Sequence, residues 1–237
     1  MEICALVIPV YKTTLNIFEK QSLSQARRVF QHIPIIFVAP IRLEFERTGQ
    51  EKIIYFSVNF FETVQGYNDL LVSSQFYKCF LDFQYILIYQ LDAFVFKTNI
   101  TEWCNKKFSY IGAPWIYASY YESEVTKYKK MLLRFPPVGN GGLSLRKTKV
   151  HYLSARYLFT FRLRRIFKSY NEDWFWVTVI PKLNPWYKVA DLETAKKFSI
   201  ESSPEKSIHD LKGELPFGCH AWDKNYDYWK KFISLEN

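Results

Sequence analysis

A single carboxylate stands out in the most apolar stretch of the chain. Asp92 is the only charged residue between Tyr85 and Phe96, a segment that predicts a buried strand. A carboxylate in such surroundings is costly unless it finds a cation, a metal or strong hydrogen-bond donors. Gln90 lies two residues earlier, so its side chain would face the same side of an extended chain. This pattern favours a metal or ligand carboxylate, with an Asp solvated at the end of a strand as the alternative.

A histidine near the end of the chain supplies a second candidate. His220 lies in Phe217–Trp222, whose small and aromatic residues indicate a tightly packed loop. A lone histidine is more often structural than a ligand. A hard divalent cation that bridges a diphosphate nevertheless needs few protein ligands, because phosphate oxygens and water complete its shell. Asp92 and His220 would be a sparse but sufficient pair.

An acidic pair begins a predicted helix in the second half of the chain. Asn171 can cap that helix, and Glu172 and Asp173 fall in its first turn, where the helix dipole favours negative charge. Capping and the dipole alone explain such residues. The functional interpretation makes one carboxylate a general base that deprotonates an acceptor hydroxyl. The helix N-terminus is expected to lower its pKa and keep it ionised.

Glycines are concentrated at one place. Gly139, Gly141 and Gly142 account for three of the 8 glycines. They predict either a tight turn entering a strand or a backbone segment that passes close to a ligand. The pattern is neither a dinucleotide-binding fingerprint nor a P-loop.

The order of predicted elements indicates an α/β fold. Apolar runs alternate with segments of helical period in the first half, which favours β-α-β units and a mainly parallel central sheet flanked by helices. We expect a single domain over 1–237, with a nucleotide-binding half (1–100) and an acceptor-facing half (101–237). Strands are predicted at Ile3–Val10, Ile33–Val38, Lys52–Val58, Tyr85–Phe96, Tyr110–Trp115 and Val138–Arg146, and helices at 15–31, 67–81, 147–170 and 171–180.

The positive charge is concentrated in one segment. The net charge is +9, and residues 147–171 hold seven basic residues and no acidic one, interleaved with aromatic residues. This segment predicts either a solvated helix face or a surface that docks on anionic lipid headgroups. Cys4 and Cys79 lie in apolar runs, which suggests buried free thiols in a reducing cytosol. No apolar run reaches the length of a membrane-spanning helix. We expect a cytoplasmic protein, attached at most peripherally to the inner face of the membrane.

Taken in order, these segments resemble nucleotide-sugar-dependent glycosyltransferases of the GT-A fold. More narrowly, the chain resembles an incompletely characterised bacterial glycosyltransferase-like family. The resemblance spans most of the chain. It is carried by Ile8–Tyr11, Tyr67-Asn68, Tyr85–Phe96, Ile111–Trp115, Val138–Arg146, Asn171–Phe175 and Phe217–Trp222.

The resemblance implies how the donor is held. Pro9, Val10 and Tyr11 would contact the base and ribose of a nucleoside diphosphate sugar, with a UDP-sugar favoured, and Asn68 would contact the nucleotide from the next helix. Asp92 stands where the last Asp of the family's Asp-x-Asp motif would be, with His220 completing a site for Mn²⁺ or Mg²⁺. Gln90 replaces the first Asp of that motif, and a neutral ligand weakens metal binding.

The resemblance also implies where the acceptor binds. Gly141 and Gly142 would line the sugar and acceptor pocket, with Trp115 as a wall, and Asp173, or Glu172, would be the base of an inverting transfer. The expected acceptor is a cell-surface polysaccharide, such as O-antigen or capsule, or a lipid-linked oligosaccharide. Two alternatives remain open: a basic nucleic-acid-binding module, for which no binding motif is found, and a non-catalytic sugar-binding protein of the same fold. We expect no nucleic-acid partner.

Overall fold

The computed structural model describes residues 2–117, 138–157 and 171–235. Its strands are β1 (Glu2–Pro9), β2 (Ile35–Pro40), β3 (Lys52–Phe56), β4 (Phe83–Tyr89), β5 (Phe94–Val95), β6 (Tyr110–Pro114), β7 (Val138–Lys147), β8 (Ser199–Ile200) and β9 (Gly218–Cys219). Its α-helices are α1 (Ile17–Val29), α2 (Val64–Leu71), α3 (Ser74–Lys78), α4 (Ile100–Asn105), α5 (Thr148–Arg156), α6 (Glu172–Trp174), α7 (Ile180–Leu183), α8 (Leu192–Phe198), α9 (Pro204–Asp210) and α10 (Tyr226–Trp229). A π-helical stretch, Phe175–Val179, joins α6 to α7.

The central sheet has six strands in the order β3-β2-β1-β4-β7-β6. Pairing is parallel from β3 to β4, whereas β7 runs antiparallel to both of its neighbours. The predicted α/β fold with a mainly parallel sheet is therefore confirmed. A smaller sheet, β5-β9-β8, lies beyond the end of β4. The proposed division into two halves stays a prediction.

Both faces of the central sheet are covered. Along β1, Leu6 and Ile8 belong to one hydrophobic cluster, and Ala5 and Val7 belong to the cluster on the opposite face. This alternation explains why the strand is an unbroken apolar run, since each face packs against helices. The sheet also determines where a site can form. Because β1 and β4 are parallel neighbours, their carboxyl ends lie at the same edge of the sheet.

Two predicted elements are broken by turns. The expected helix 67–81 is two short helices, α2 and α3, separated at Val72 and Ser73. The Ser73 hydroxyl donates to Leu70 O and accepts from Phe76 N, so it competes with the helical backbone pattern. The expected strand Tyr85–Phe96 ends at Tyr89, and the chain turns through Gln90–Ala93 before entering the second sheet.

Other expectations are corrected in detail. The glycines at 139–142 lie within β7 rather than in a turn before it. Cys79 is exposed, whereas Cys4 is buried; both are free thiols. The basic segment is helical at Thr148–Arg156, and 158–170 fall outside the described residues. Within the ranges that the structure describes, no helix is both long and apolar enough to span a membrane.

Candidate active site

A cleft of about 710 Å³ opens at the carboxyl ends of β1 and β4. Its floor and walls come from the chain after β1, from the first turns of α1 and α2, and from the turn after β4. The lining residues are Pro9, Val10, Tyr11, Lys12, Leu15, Asn16, Phe18, Glu19, Phe61, Glu62, Thr63, Val64, Tyr67, Gln90, Leu91, Asp92 and Asp223. This is the edge at which open α/β sheets bind ligands. The structure thus brings five of the predicted site residues into one cleft.

Asp92 and Gln90 line the cleft, and both contact His220, which is buried and is not itself a lining residue. His220 Nε2 lies 3.1 Å from Asp92 Oδ1 and 3.2 Å from Gln90 Oε1. The other ring nitrogen, Nδ1, lies 3.3 Å from Glu201 Oε1, but without hydrogen-bond geometry. Gln90 Nε2 also reaches the hydroxyl of Tyr67 at 3.4 Å. Gln90 and Asp92, from the turn after β4, therefore meet His220, from the loop after β9. We call these three residues and Glu201 the His220 cluster.

Charge in the His220 cluster is balanced by the histidine. Burial alone would lower the pKa of His220, but the hydrogen bond to Asp92 and the negative charges of Asp92 and Glu201 outweigh it and raise that pKa to about 10. Burial opposes ionisation of Asp92, yet its hydrogen bond to His220 lowers the pKa of Asp92. At neutral pH the pair is an imidazolium and a carboxylate.

The donor atoms of the His220 cluster suit a divalent cation. A carboxylate oxygen, an amide oxygen and an imidazole nitrogen converge, and their spacings of 3.1 and 3.2 Å match neighbouring ligands of an octahedral ion with bonds of about 2.1 Å. Within the described ranges no cluster of three His, Cys, Asp or Glu side chains could hold a metal. The third donor here is therefore the neutral Gln90. A metal would have to displace the proton from His220 Nε2.

A second group of charges, the Arg146 cluster, lies across β7. Arg146 is fully buried, and Glu172 is 4% exposed. The guanidinium donates from Nη1 to Glu172 Oε2 and from Nη2 to Glu172 Oε1, both at 2.8 Å. It also donates to the Tyr77 hydroxyl and to Ser144 Oγ, both at 3.0 Å. Because each oxygen of Glu172 is bound by Arg146, the structure favours Asp173 over Glu172 as a base.

Asp173 is half-buried at the start of α6. Its Oδ2 accepts from Gly141 N at 3.2 Å, and its Oδ1 accepts from Trp174 N at 2.7 Å. Burial, followed by the charge of Glu172, raises the pKa of Asp173 to about 7. The expectation that the helix N-terminus lowers this pKa was wrong, because desolvation and a neighbouring carboxylate outweigh the short helix. A pKa near neutrality suits a general base.

Two glycines allow the two clusters to approach each other. A Cβ on Gly141 would lie 2.5 Å from Glu172 Oε1, and a Cβ on Gly142 would lie 2.0 Å from His220 Nε2. These contacts put Gly141 against the Arg146 cluster and Gly142 against the His220 cluster, in a part of β7 whose pairing with β6 is irregular. The carbonyl of Gly142 also accepts from Gln90 N at 2.9 Å. Close backbone approach, not a turn, explains the glycines.

Comparison with known families decides where the chain belongs. The sequence model described as "Protein of unknown function (DUF5672)" matches residues 50–220, well over half of the chain. The chain belongs to this family. The matched region includes Asp92, Arg146, Asp173 and His220. No curated protein matches the sequence significantly.

Solved structures similar to this chain are GT-A-fold glycosyltransferases. The galactosyltransferase LgtC, in complex with donor and acceptor sugar analogs, has a TM-score of 0.58 and 11% identity, over 98% of this chain and 97% of that one. Mouse xyloside xylosyltransferase 1 has a TM-score of 0.52 and 14% identity, over 92% and 97%. A glycosyltransferase involved in glycosylation of the major capsid of PBCV-1 has a TM-score of 0.52 and 13% identity, over 91% and 92%. At these identities the likeness establishes the fold.

Two predicted site residues of this family member lie elsewhere than expected. Asn68 is buried and does not line the cleft; its Oδ1 accepts from Glu172 N at 3.2 Å. Asn68 therefore provides the helix cap that was expected of Asn171, whose side chain makes no capping bond to α6. Trp115 is 3% exposed and packs in the core cluster with Trp176, so it does not form a wall of the cleft.

Reasoning from the sequence missed Arg146, Glu201 and the role of Tyr67. Arg146 lies near the end of the buried strand β7 and directly before Lys147, so in the sequence it looks like the start of the basic segment. Glu201 follows the two-residue strand β8, which has no periodicity to place it. Tyr67 was recognised as part of a helix, but its position beside Gln90 depends on the break between β4 and β5.

Proposed function

We propose that the chain is a glycosyltransferase that moves a sugar from a nucleoside diphosphate sugar to a hydroxyl of a glycan acceptor. One observation carries the proposal: a nucleotide-sized cleft at the carboxyl edge of the sheet is lined by Asp92 and Gln90, and both contact His220. Beside the glycine that meets His220, the amide of Gly141 on β7 donates to Asp173. The GT-A fold supports this function, since its solved relatives carry glycosyltransferase names.

The donor fits the outer part of the cleft. Pro9 ends β1, Val10 and Tyr11 follow it, and all three line the cleft. The ring of Tyr11 is exposed and offers a flat surface for a base. Lys12 also lines the cleft, and its ammonium group supplies a positive charge for a diphosphate. We favour a UDP-sugar as donor.

The His220 cluster is the proposed metal site. Asp92 and His220, with the amide oxygen of Gln90, would hold Mn²⁺ or Mg²⁺. Such a cation supplies Lewis-acid stabilisation of negative charge on the diphosphate. Because one ligand is neutral, we expect weaker binding than a site with a second carboxylate would give.

Asp173 is the proposed base of an inverting transfer. Its carboxylate takes the proton of the acceptor hydroxyl. The acceptor oxygen then forms a bond to the anomeric carbon, and the bond between that carbon and the diphosphate oxygen breaks, with its electron pair leaving on the nucleoside diphosphate. Glu172 and Arg146 stay paired throughout. Gly141 and Gly142 let the side chains of Glu172 and His220 lie directly against the backbone of β7; we keep them as the proposed border of the sugar and acceptor pocket.

The positive charge of residues 147–171 is the basis for the proposed acceptor and the proposed location in the cell. We propose a cell-surface or lipid-linked glycan as acceptor, and docking of 147–171 on an anionic membrane from the cytoplasmic side. Lys147, Lys149 and Arg156 are the described basic residues of this segment, on and beside α5. The remaining four lie outside the described residues.

A thermal-shift screen tests the proposal. Nucleotides and nucleotide sugars are added with and without Mn²⁺ to the wild type, to Asp92→Asn and to the control Asp82→Asn, which changes an exposed carboxylate before β4. A bound ligand raises the melting temperature. We expect a Mn²⁺-dependent rise for one nucleotide class in the wild type and control, but not in Asp92→Asn. No rise with any nucleotide, together with salt-sensitive binding of an oligonucleotide, would instead favour the nucleic-acid alternative.

A further inference from the structure

The Arg146 cluster contains more than a pair of opposite charges. A closed ring of contacts joins it to Asp173. The Gly141 amide donates to Asp173 Oδ2 at 3.2 Å, and the Gly141 carbonyl accepts from Ser144 Oγ at 2.8 Å. Ser144 Oγ accepts from Arg146 Nε at 3.0 Å, and Arg146 holds both oxygens of Glu172, which precedes Asp173 in the chain.

The ring is rigid because its charged members are enclosed. Arg146 is fully buried, and its Nη1 also donates to the hydroxyl of Tyr77, which itself donates to Leu71 O at 2.8 Å. The guanidinium also lies over the ring of Tyr110, 5.1 Å from its centroid. A bidentate arginine fixes direction as well as distance. Movement of Glu172, and with it the start of α6, would therefore break several buried bonds.

We propose that Arg146 and Glu172 are positioning residues for Asp173: the ion pair, through Ser144 and Gly141, fixes where the Asp173 carboxylate lies. The proposal rests on the proposed function for the role of Asp173 as a base. Its structural part, the coupling of the pair to Asp173, stands on the ring of contacts.

The two charges of the pair act on Asp173 in opposite directions. Glu172 raises the pKa of Asp173, and Arg146 lowers it. The other charged or titratable groups that face Asp173 are Glu201, after β8, and Tyr110, on β6. Neither is substituted when the pair is altered, and burial raises the pKa of Tyr110 far enough that its hydroxyl stays uncharged in the titration. Removing one half of the pair should therefore move the proton equilibrium of Asp173 one way, and removing the other half should move it the opposite way.

The test is a ¹³C NMR titration of the aspartate carboxyl groups in the full chain, with Asp173→Asn used to assign the Asp173 signal. We expect the Asp173 midpoint to fall below the wild-type value of about 7 in Glu172→Gln and to rise above it in Arg146→Met. Arg27→Met and Glu51→Gln are matched controls, because these residues form another two-bond Arg–Glu pair at 2.7 and 2.9 Å outside the cleft. The controls should leave the midpoint unchanged.

Activity supplies the positional part of the test. Arg146→Lys keeps the charge but loses the two-bond geometry, so we expect the Asp173 midpoint to stay near the wild-type value. A small displacement of a catalytic group can cost about 10²-fold in rate. We expect kcat to fall by about that factor in Arg146→Lys, with the KM for the donor unchanged.

Shifts in the same direction for both halves of the pair, or none, would overturn the proposal, as would a kcat unchanged by Arg146→Lys. If a single variant does not fold, the double variant Arg146→Met/Glu172→Gln decides. It removes both buried charges, and its Asp173 midpoint should lie below that of the wild type because the effect of Glu172 exceeds that of Arg146. If the wild type transfers no sugar but the midpoints still move oppositely, the proposed function fails and the coupling stands.

Discussion

The two charged clusters on either side of β7 are built differently. In the His220 cluster the contacts of Nε2 are 3.1 and 3.2 Å, and both His220 Nδ1 and Glu201 Oε2 are buried without a hydrogen-bond partner. In the Arg146 cluster the ion-pair bonds are 2.8 Å and every nitrogen of the guanidinium donates. The first cluster opens on the cleft, whereas the second is closed to solvent.

This difference suits the His220 cluster to binding a ligand and the Arg146 cluster to holding Asp173 in position. Loosely bonded donors facing a cleft can exchange a protein contact for a ligand at little cost, whereas a fully bonded buried pair resists any rearrangement. We infer that the His220 cluster changes its contacts when the donor binds, and that the Arg146 cluster does not. Asp173 shares features of both clusters: it is half-buried, and two backbone amides donate to its carboxylate.

The largest effect is expected from the proposed base. Asp173→Asn keeps the shape of the side chain but cannot accept the proton, and loss of a general base costs about 10²–10⁴-fold in rate. Donor affinity, measured by calorimetry, should be unchanged because Asp173 does not line the donor cleft. An activity within about threefold of the wild type would show that the transfer needs no base at this position.

Two neighbouring glycine substitutions sharpen the comparison. In Gly142→Ala the new Cβ would lie 2.0 Å from His220 Nε2, and in Gly141→Ala it would lie 2.5 Å from Glu172 Oε1. Overpacking of this kind costs about 1–3 kcal/mol. We expect Gly142→Ala to raise the KM for the donor about tenfold or more, because the His220 cluster yields. Gly141→Ala should instead lower kcat and the free energy of unfolding, because the Arg146 cluster cannot yield.

Kinetics and chemical denaturation of these two variants distinguish the outcomes. If both variants changed the same kinetic constant to the same extent, the division between a binding cluster and a positioning cluster would be wrong. Gly49→Ala is not a suitable control, because Gly49 has a φ of 56°. The control is again Asp82→Asn, which changes an exposed residue outside both clusters.

The smallest expected effect is on stability as a function of pH. The pKa of His220 is raised from 6.5 to about 10, so its contribution is full below pH 6.5 and is lost as the pH rises through 10. The pKa of Asp173 is raised from 3.8 to about 7. For a carboxyl group a raised pKa lowers stability as the pH rises from about 4 to 7.

Melting temperatures of the wild type, His220→Gln and Asp173→Asn, measured over pH 4–10, check these two pH ranges. His220→Gln should flatten the curve above pH 6.5, and Asp173→Asn should flatten it below pH 7, each relative to the wild type. A curve whose upper limb is unchanged in His220→Gln would mean that the imidazolium is not stabilised by Asp92 and Glu201.

The elements that depend on local pattern could be predicted from the sequence. β1 was predicted as Ile3–Val10 and is Glu2–Pro9, and α1 was predicted within residues 15–31 and is Ile17–Val29. Burial on both faces of the sheet produces an unambiguous apolar run. The same run concealed the end of β4, because residues before and after the turn at Asp92 are equally apolar.

The candidate site could be predicted only in part. Asp92 and His220 were recognised as unusual for their surroundings, and the structure brings them within 3.1 Å of each other. The partnership of Arg146 with Glu172 joins residues 26 positions apart across two elements, which no local pattern reveals. The pKa of Asp173 depends on that partnership and on burial, so its direction was mispredicted from the helix alone.

Release of nucleoside diphosphate tests the central claim most directly. Purified wild type, Asp92→Asn and Asp173→Asn are incubated with a panel of nucleotide sugars, Mn²⁺ and a glycan acceptor, and both nucleoside diphosphate and glycosylated acceptor are quantified. We expect equal amounts of the two products from one donor class with the wild type, and a loss of at least about 10²-fold with either variant. Wild-type activity that persists in both variants, or no product from any donor, would contradict the account.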